Sequence, residues 1–375
     1  MIDKVRRTEH CEPIGLASVE EFAHDKTRLG CAFRRAALEM QPQRRTAVAR
    51  GIPKAAERRA TMMPYSLEVT PRDKEAFEAV ARLLPPLTGV FVADLPDQEP
   101  DLIIEACARY RRAGFRPVPH LVARNIEGVD KLRFLLSRLV GEAKVERALV
   151  LGGDRSEPAG PFKEALDLLE TGLLSKHGIR QIALACFPEG HPTIPGGELQ
   201  RALEAKLVAA AQSDLDVLLV SQFLFEAEPL LDYTRRLRMG GIAAPLRAGL
   251  AGPADADTLL QFAKELGVGA SKQGMQSKAA GSDERKADQS PQELAAAIVG
   301  AQASEPSLRI EGFHFFAFGS TAKTIAWANR HRPGRMDQEM PAAQASVLRR
   351  RFGFGSGAGG GGAGLRPRPI CFAST

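Results

Sequence analysis

The sequence predicts an α/β fold, a single (β/α)₈ barrel carrying irregular extensions at both ends. Three observations point to it. From residue 64 onward, short apolar runs of strand length alternate with amphipathic runs of helix length. Eight strand-like runs can be counted, at 64–69, 89–93, 117–122, 147–151, 180–186, 216–222, 242–248 and 310–316. Several of them end in polar or ionisable residues, as strands do when their C-terminal ends build a site at one mouth of a barrel.

The helices between the strands are read from their period. Helical runs are predicted at 73–84, 100–113, 129–139, 161–175, 197–211, 227–239, 255–266 and 292–303. In the second, Leu102, Ile103, Ala106 and Tyr110 share one face, and Gly114 follows as a stop signal. Strict alternation of strand and helix favours a closed parallel sheet. An open doubly wound sheet is the alternative, but no GxGxxG follows an early strand. Residues 270–292 are polar and rich in structure breakers, and are predicted as a long loop after the seventh strand.

Composition bounds the ends and the partners. The chain has 375 residues, and 44% are hydrophobic, enough for a large core. The formal net charge is +6. Residues 1–60 hold 13 Lys/Arg against 8 Asp/Glu, and residues 330–375 hold 8 against 2, so the central body is mildly acidic. A nucleic-acid-binding core is therefore not expected, and the basic ends read as solvated arms. Segment 1–61 lacks a secretory h-region; short helices near 18–24 and 31–40 are compatible with its pattern. Segment 331–375 ends in a Gly-rich run that cannot repay its ordering entropy. Both are expected to be disordered, leaving 62–330 as the barrel. No apolar stretch approaches a membrane span. Five dispersed cysteines without a CxxC pair suggest neither disulfides nor a metal site, and a cytoplasmic protein. The oligomeric state is left open, a homo-oligomer included.

The strand ends supply the candidate site residues. Glu68 lies in SLEVTP, ending the first strand. A carboxyl at an apolar barrel mouth is expected to have a raised pKa and to serve as a general acid; a rim salt bridge is the alternative. His120 ends the third strand in PHL, either as a ligand contact or as a structural hydrogen bonder. Asp154 closes LGGD, where Gly152 and Gly153 would let a planar ligand approach the backbone. In CFPEGHP, Pro188 and Pro192 fix two turns around Phe187 and His191. Gln222, in SQFLFE, offers an amide with donors and acceptor in one plane, suited to a heterocycle edge. Lys206 lies on the preceding helix.

This ordered set, SLEVTP, PHL, LGGD, CFPEGHP and SQFLFE, resembles the methylenetetrahydrofolate reductase family over about residues 63–328. The resemblance implies reduction of 5,10-methylenetetrahydrofolate to 5-methyltetrahydrofolate, with FAD as cofactor and NAD(P)H as reductant. It implies that Glu68 is the catalytic acid and that Asp154 sits beside flavin and folate, stabilising a cationic folate intermediate. His120, Gly153, Phe187, His191 and Lys206 would hold the cofactor, and Gln222 with Glu68 the folate. The chain also departs from the family pattern. Ala93 and Asp94 stand where the family ends its second strand with V-T-Y-G, whose Thr and Gly border the flavin. Gly152 stands where the family has Arg, Val122 where it has Thr, and Phe187 where it often has Tyr. Other enzymes on the same scaffold remain open, namely a folate-binding methyltransfer component or a flavin-independent reductase. So does a catalytically silent folate-binding barrel. His314, in the last strand, receives no role.

Overall fold

The structure is a computed structural model that describes residues 63–265, 288–318 and 320–331. All of these fall within one of the chain's two compact units, Pro53–Thr375. The predicted N-terminal helices, the Gly-rich tail and most of the predicted 270–292 loop lie outside the described residues.

Eight parallel strands close on themselves. In chain order they are β1 (Tyr65–Val69), β2 (Gly89–Val92), β3 (Arg116–Val122), β4 (Arg147–Leu151), β5 (Gln181–Cys186), β6 (Asp216–Leu224), β7 (Leu246–Ala251) and, after the two-residue antiparallel pair β8 (Ala254–Asp255) and β9 (Asp288–Gln289), β10 (Ile310–Phe316). Each strand pairs with its predecessor, β10 pairs with β7, and β10 closes the ring on β1 with Ser66 opposite His314. The open doubly wound alternative is thereby excluded.

Alternation along each strand divides the core in two. Outward residues such as Leu67, Val90, Leu121, Val150, Leu184 and Phe315 pack under the surrounding helices. Inward residues, among them Phe91, Val118, Leu149, Ala183, Val220 and Phe316, fill the barrel. The helices follow the sequence signals. Asp73 Oδ1 accepts from the Ala76 amide at 2.7 Å and caps Lys74–Leu83, while Pro100 opens Pro100–Arg112.

Three local readings are corrected. The helix predicted over 161–175 is two short helices, Ala165–Glu170 and Leu173–Lys176, because Gly172 between them has φ +62°. The seventh strand starts at Leu246, not at 242. Pro245 has no amide to give a ladder, and the apolar residues before it belong to a turn closed by Ile242 N–H to Leu237 O. A final helix, Thr321–Arg330, completes the outer ring and has no counterpart among the predicted helical runs. It is anchored by Ser320 at its N-cap, by Trp327 Nε1 donating to Ser290 Oγ at 2.9 Å, and by Asn329 Nδ2 donating to Leu83 O at 2.7 Å.

Two irregularities shape the site. β3 contains Pro117 and Pro119, and its ladder with β4 begins only at His120 opposite Leu149. In β6 the register against β7 slips between Val220 and Phe223, a bulge. Ser221 Oγ repairs the lost ladder bond by accepting the Gly249 amide and donating to Gln222 O, both at 2.8 Å. Gly249 is required there, since a Cβ would lie 2.4 Å from the carbonyl oxygens of Ser221 and Gln222. The bulge ends with Gln222 buried at 4% exposure.

Candidate active site

Period-two alternation brings Glu68 (β1), His120 (β3) and His314 (β10) to one point inside the barrel, all at 5% exposure or less. Glu68 Oε2 lies 3.4 Å from His120 Nε2 and 3.4 Å from His314 Nε2. His314 Nδ1 in turn lies 2.9 Å from Ser66 Oγ. A neutral His314 that accepts from the Ser66 hydroxyl through Nδ1 donates its Nε2–H to Glu68, and this tautomer satisfies both contacts. Phe91 meets both imidazoles edge to face, at ring separations of 6.5 Å from His120 and 4.5 Å from His314.

The protonation expected of Glu68 is corrected by this arrangement. Burial pushes its carboxyl up, but His120 first and then His314 outweigh that effect and hold it at about 2. Glu68 is therefore a carboxylate at neutral pH in the resting site. Burial also lowers the pKa of His314, against the opposing pull of Glu68, which keeps that imidazole neutral.

A second carboxyl, Asp94, stands where the resemblance offered none. It follows β2 and accepts a hydrogen bond from Asn125 Nδ2 at 3.1 Å. Asp94 is half-buried. Burial raises its pKa to about 6, despite the Asn125 hydrogen bond and the charges of His120 and Arg155. An acid whose folded pKa is raised loses stability as pH climbs from its ordinary value of 3.8 through about 6. Asp94→Asn keeps the acceptor for Asn125 and removes that cost. Its melting temperature should match the wild type near pH 4 and exceed it above pH 6; a constant offset across that range would show that the carboxyl does not titrate as its surroundings dictate.

Several buried polar atoms near the C-terminal ends of the strands lack a partner among the described residues. Both ring nitrogens of His120 lack a well-aligned hydrogen bond, as do Gln222 Oε1 and Nε2, Asn125 Oδ1 and Arg155 Nε. Buried polar groups are normally satisfied, so such a group of them marks a ligand-binding surface.

The remaining candidates fall elsewhere. Gly153 has φ +105°, and a Cβ there would lie 2.3 Å from Val122 Cγ1. Val122 occupies the space where a side chain at this position would sit, so only glycine fits there. Asp154 follows it on an exposed stretch. This loop is held by Arg124, whose guanidinium donates to the carbonyls of Arg155, Ser156 and Lys163.

Phe187 and His191 meet edge to face at 5.3 Å. Phe187 and Lys206 line one cavity of about 390 Å³ outside the wall at β5, between the helices Gly196–Gln212 and Glu228–Met239, with Cys186 and Tyr233. Lys206 is 6% exposed and makes no hydrogen bond or ion pair with a described residue, and burial lowers its pKa. The Cys186 thiol is pushed up to about 12 by burial, so it is inert. The structure thus separates the candidates into an inner group (Glu68, His120, Gln222) and an outer group (Phe187, His191, Lys206). It adds His314, Ser66 and Asp94 to the inner one.

Among the described residues no helix is long and apolar enough to cross a membrane. No group of three or more His, Cys, Asp or Glu among them is placed to hold a metal ion. No protein-family model matches the chain. Two solved structures align with it over 72% of its length. One is dihydropteroate synthase (FolP) from Thermus thermophilus, at 13% identity and TM-score 0.39, with 93% of that chain covered. The other is a xylose isomerase-like TIM barrel/4-hydroxyphenylpyruvate dioxygenase fusion protein, at 16% identity and TM-score 0.36, with 42% of that chain covered. Neither alignment bears on the chemistry of the site.

Proposed function

We propose that this chain is an enzyme that binds a reduced folate at the barrel mouth and reduces 5,10-methylenetetrahydrofolate to 5-methyltetrahydrofolate, with NAD(P)H as reductant and FAD as cofactor. The observation that carries this reading is the Gln222 amide. It is buried, with neither amide atom bonded to a described residue, and sits in the β6 bulge between Val220 and Phe223, which face the barrel interior. A planar donor–acceptor amide in an apolar wall suits the edge of a pterin, and little else in the barrel would use it.

The outer group fits a phosphate-bearing cofactor. Lys206 is a buried cation with no protein partner facing a cavity, and Phe187 and His191 supply an aromatic corner beside it. FAD held there by Phe187, His191 and Lys206 would supply the hydride chemistry.

The chain's own residues do the rest. Gln222 fixes the pterin edge, and Phe91 and Phe316 wall the reacting carbon from water. Glu68 faces the folate nitrogen that leaves when the five-membered ring opens. The Glu68 carboxyl takes up a proton as bound folate excludes water from it, and passes that proton to the nitrogen. The carboxylate left behind faces the cationic carbon and stabilises it. Asp94, raised to about 6, can exchange a proton with solvent near the end of β2.

Reduction or methyl transfer without flavin on the same barrel is favoured by one observation: the backbone at Gly153 is covered by Val122, which closes one approach a flavin ring would use. The absorbance spectrum of the purified protein separates the readings. A flavin spectrum that bleaches with NAD(P)H and recovers with methylenetetrahydrofolate supports the reductase. A colourless protein that binds folate supports the second reading, and one that binds neither ligand overturns both.

A further inference from the structure

The opposite end of the barrel holds a second cavity, and nothing in the reductase reading uses it. It encloses about 650 Å³ at the N-terminal ends of the strands, below Phe91. Arg116 (β3), Arg147 (β4) and Arg247 (β7) line it, all from inward positions in the lowest layer, with the Gln181 amide (β5) beside them.

Arg247 runs across the floor from β7: its Nε lies 3.7 Å from where a Cβ on Gly312 would sit, and its Nη1 lies 4.0 Å from the equivalent point on Gly89. The guanidinium thus lies in van der Waals range of the inward faces of Gly312 on β10 and Gly89 on β2. Arg147 stands where the β3–β4 ladder is interrupted, since Pro117 and Pro119 delay pairing until His120.

The charges are unbalanced. None of the three arginines makes a hydrogen bond or ion pair with a described residue. Glu311 is the lone acid lining the cavity, and it already lies 3.8 Å from Arg309. Glu146 and Asp216 attract Arg147 and Glu311 attracts Arg247, which offsets part of the three positive charges. Arg116 repels Arg147 and Arg147 repels Arg247, while burial pushes the Arg247 guanidinium down to about 10. Like charges are not gathered in a half-buried concavity without cost, and an anion that bridges them relieves it.

We propose that the floor of the barrel is a binding site for a small organic phosphomonoester, its dianionic phosphate held by Arg116, Arg147 and Arg247 and its apolar body against Phe91, Val118 and Leu218. Three guanidiniums converge on one cavity, and planar guanidiniums bind phosphate oxygens in pairs. The apolar wall favours an organic ester over the bare ion.

Phenyl phosphate titrated calorimetrically into the full chain at constant ionic strength tests this. Saturable binding at one site is expected, tighter than that of inorganic phosphate. Arg147→Gln and Arg247→Gln should each weaken it about 10-fold or more, the worth of a lost charge-assisted contact. Arg116 is exposed, so Arg116→Gln should fold normally and still weaken binding, which keeps the test decisive if the buried variants do not fold. Arg133→Gln, on an outer helix, should change nothing. The proposal is overturned by absence of saturable binding, by equal affinity for inorganic phosphate, or by affinity that survives the Arg116 and Arg147 changes. Binding lost in Lys206→Met alone would overturn it too, because that places the phosphate in the cavity at β5.

Discussion

Glu68→Gln is expected to slow reduction of methylenetetrahydrofolate by about 10²–10⁴-fold, the usual worth of a positioned proton carrier, while flavin reduction by NAD(P)H proceeds at close to the wild-type rate. The amide keeps the shape of the carboxyl and can still accept from His314, but it cannot relay a proton to the folate nitrogen or face a cation with a full negative charge. Flavin bleaching and recovery in a stopped-flow instrument follow the two half-reactions separately. Equal slowing of both would make Glu68 a structural residue of the barrel. An unaffected folate half-reaction would place the proton carrier elsewhere, with Asp94 the next residue to change.

The same variant has a signature that needs no substrate. Glu68 is held below its ordinary value of 4.5, at about 2, so the stability it contributes is present above pH 4.5 and is lost as pH falls toward 2. Glu68→Gln should therefore show a shallower loss of stability across that window. If the acid limb is unchanged, the Glu68–His120–His314 contacts do not set the charge of the carboxyl.

How far the sequence reaches is clearest at these residues. Alternation of strand and helix locates all eight barrel strands, with only the seventh displaced, because apolar residues before Pro245 imitate a strand that proline cannot begin earlier. Glu68, His120 and Gln222 are legible because each lies within two residues of the C-terminal end of its strand, the end at which a barrel builds its site. What local sequence does not supply is the company each residue keeps. A strand end among apolar runs implies an apolar environment for Glu68; the structure puts two imidazoles there, one contributed by a residue 246 positions away. His314 is nonetheless within reach: in FHFF its neighbours Phe313 and Phe315 face outward, so period two alone turns the imidazole inward. Gly153 illustrates the opposite limit. A glycine just after a strand implies room for a ligand, and the structure shows that room taken by Val122, a contact no local pattern encodes.

Gln222→Leu should separate stability from binding in opposite directions. Both amide atoms of Gln222 are buried and lack protein partners, and an unsatisfied buried polar group costs about 1–3 kcal/mol. Leucine fills a similar volume without polar atoms, in a wall already lined by Val220 and Phe223. The unliganded variant is therefore expected to be more stable than the wild type by about 1–3 kcal/mol in urea unfolding, with an unchanged m-value. Its affinity for methylenetetrahydrofolate should fall by about 10²-fold, because the pterin edge would lose its donor and acceptor together and be left unpaired in an apolar wall. The two readouts discriminate sharply. A structural glutamine would show lower stability and a proportionate loss of every activity. A stabilised protein with unchanged folate affinity would show that the amide faces water rather than substrate. Only the combination of a gain in stability with a loss of folate binding is what a group kept unsatisfied for its ligand produces, the exchange of stability for function expected at a binding site.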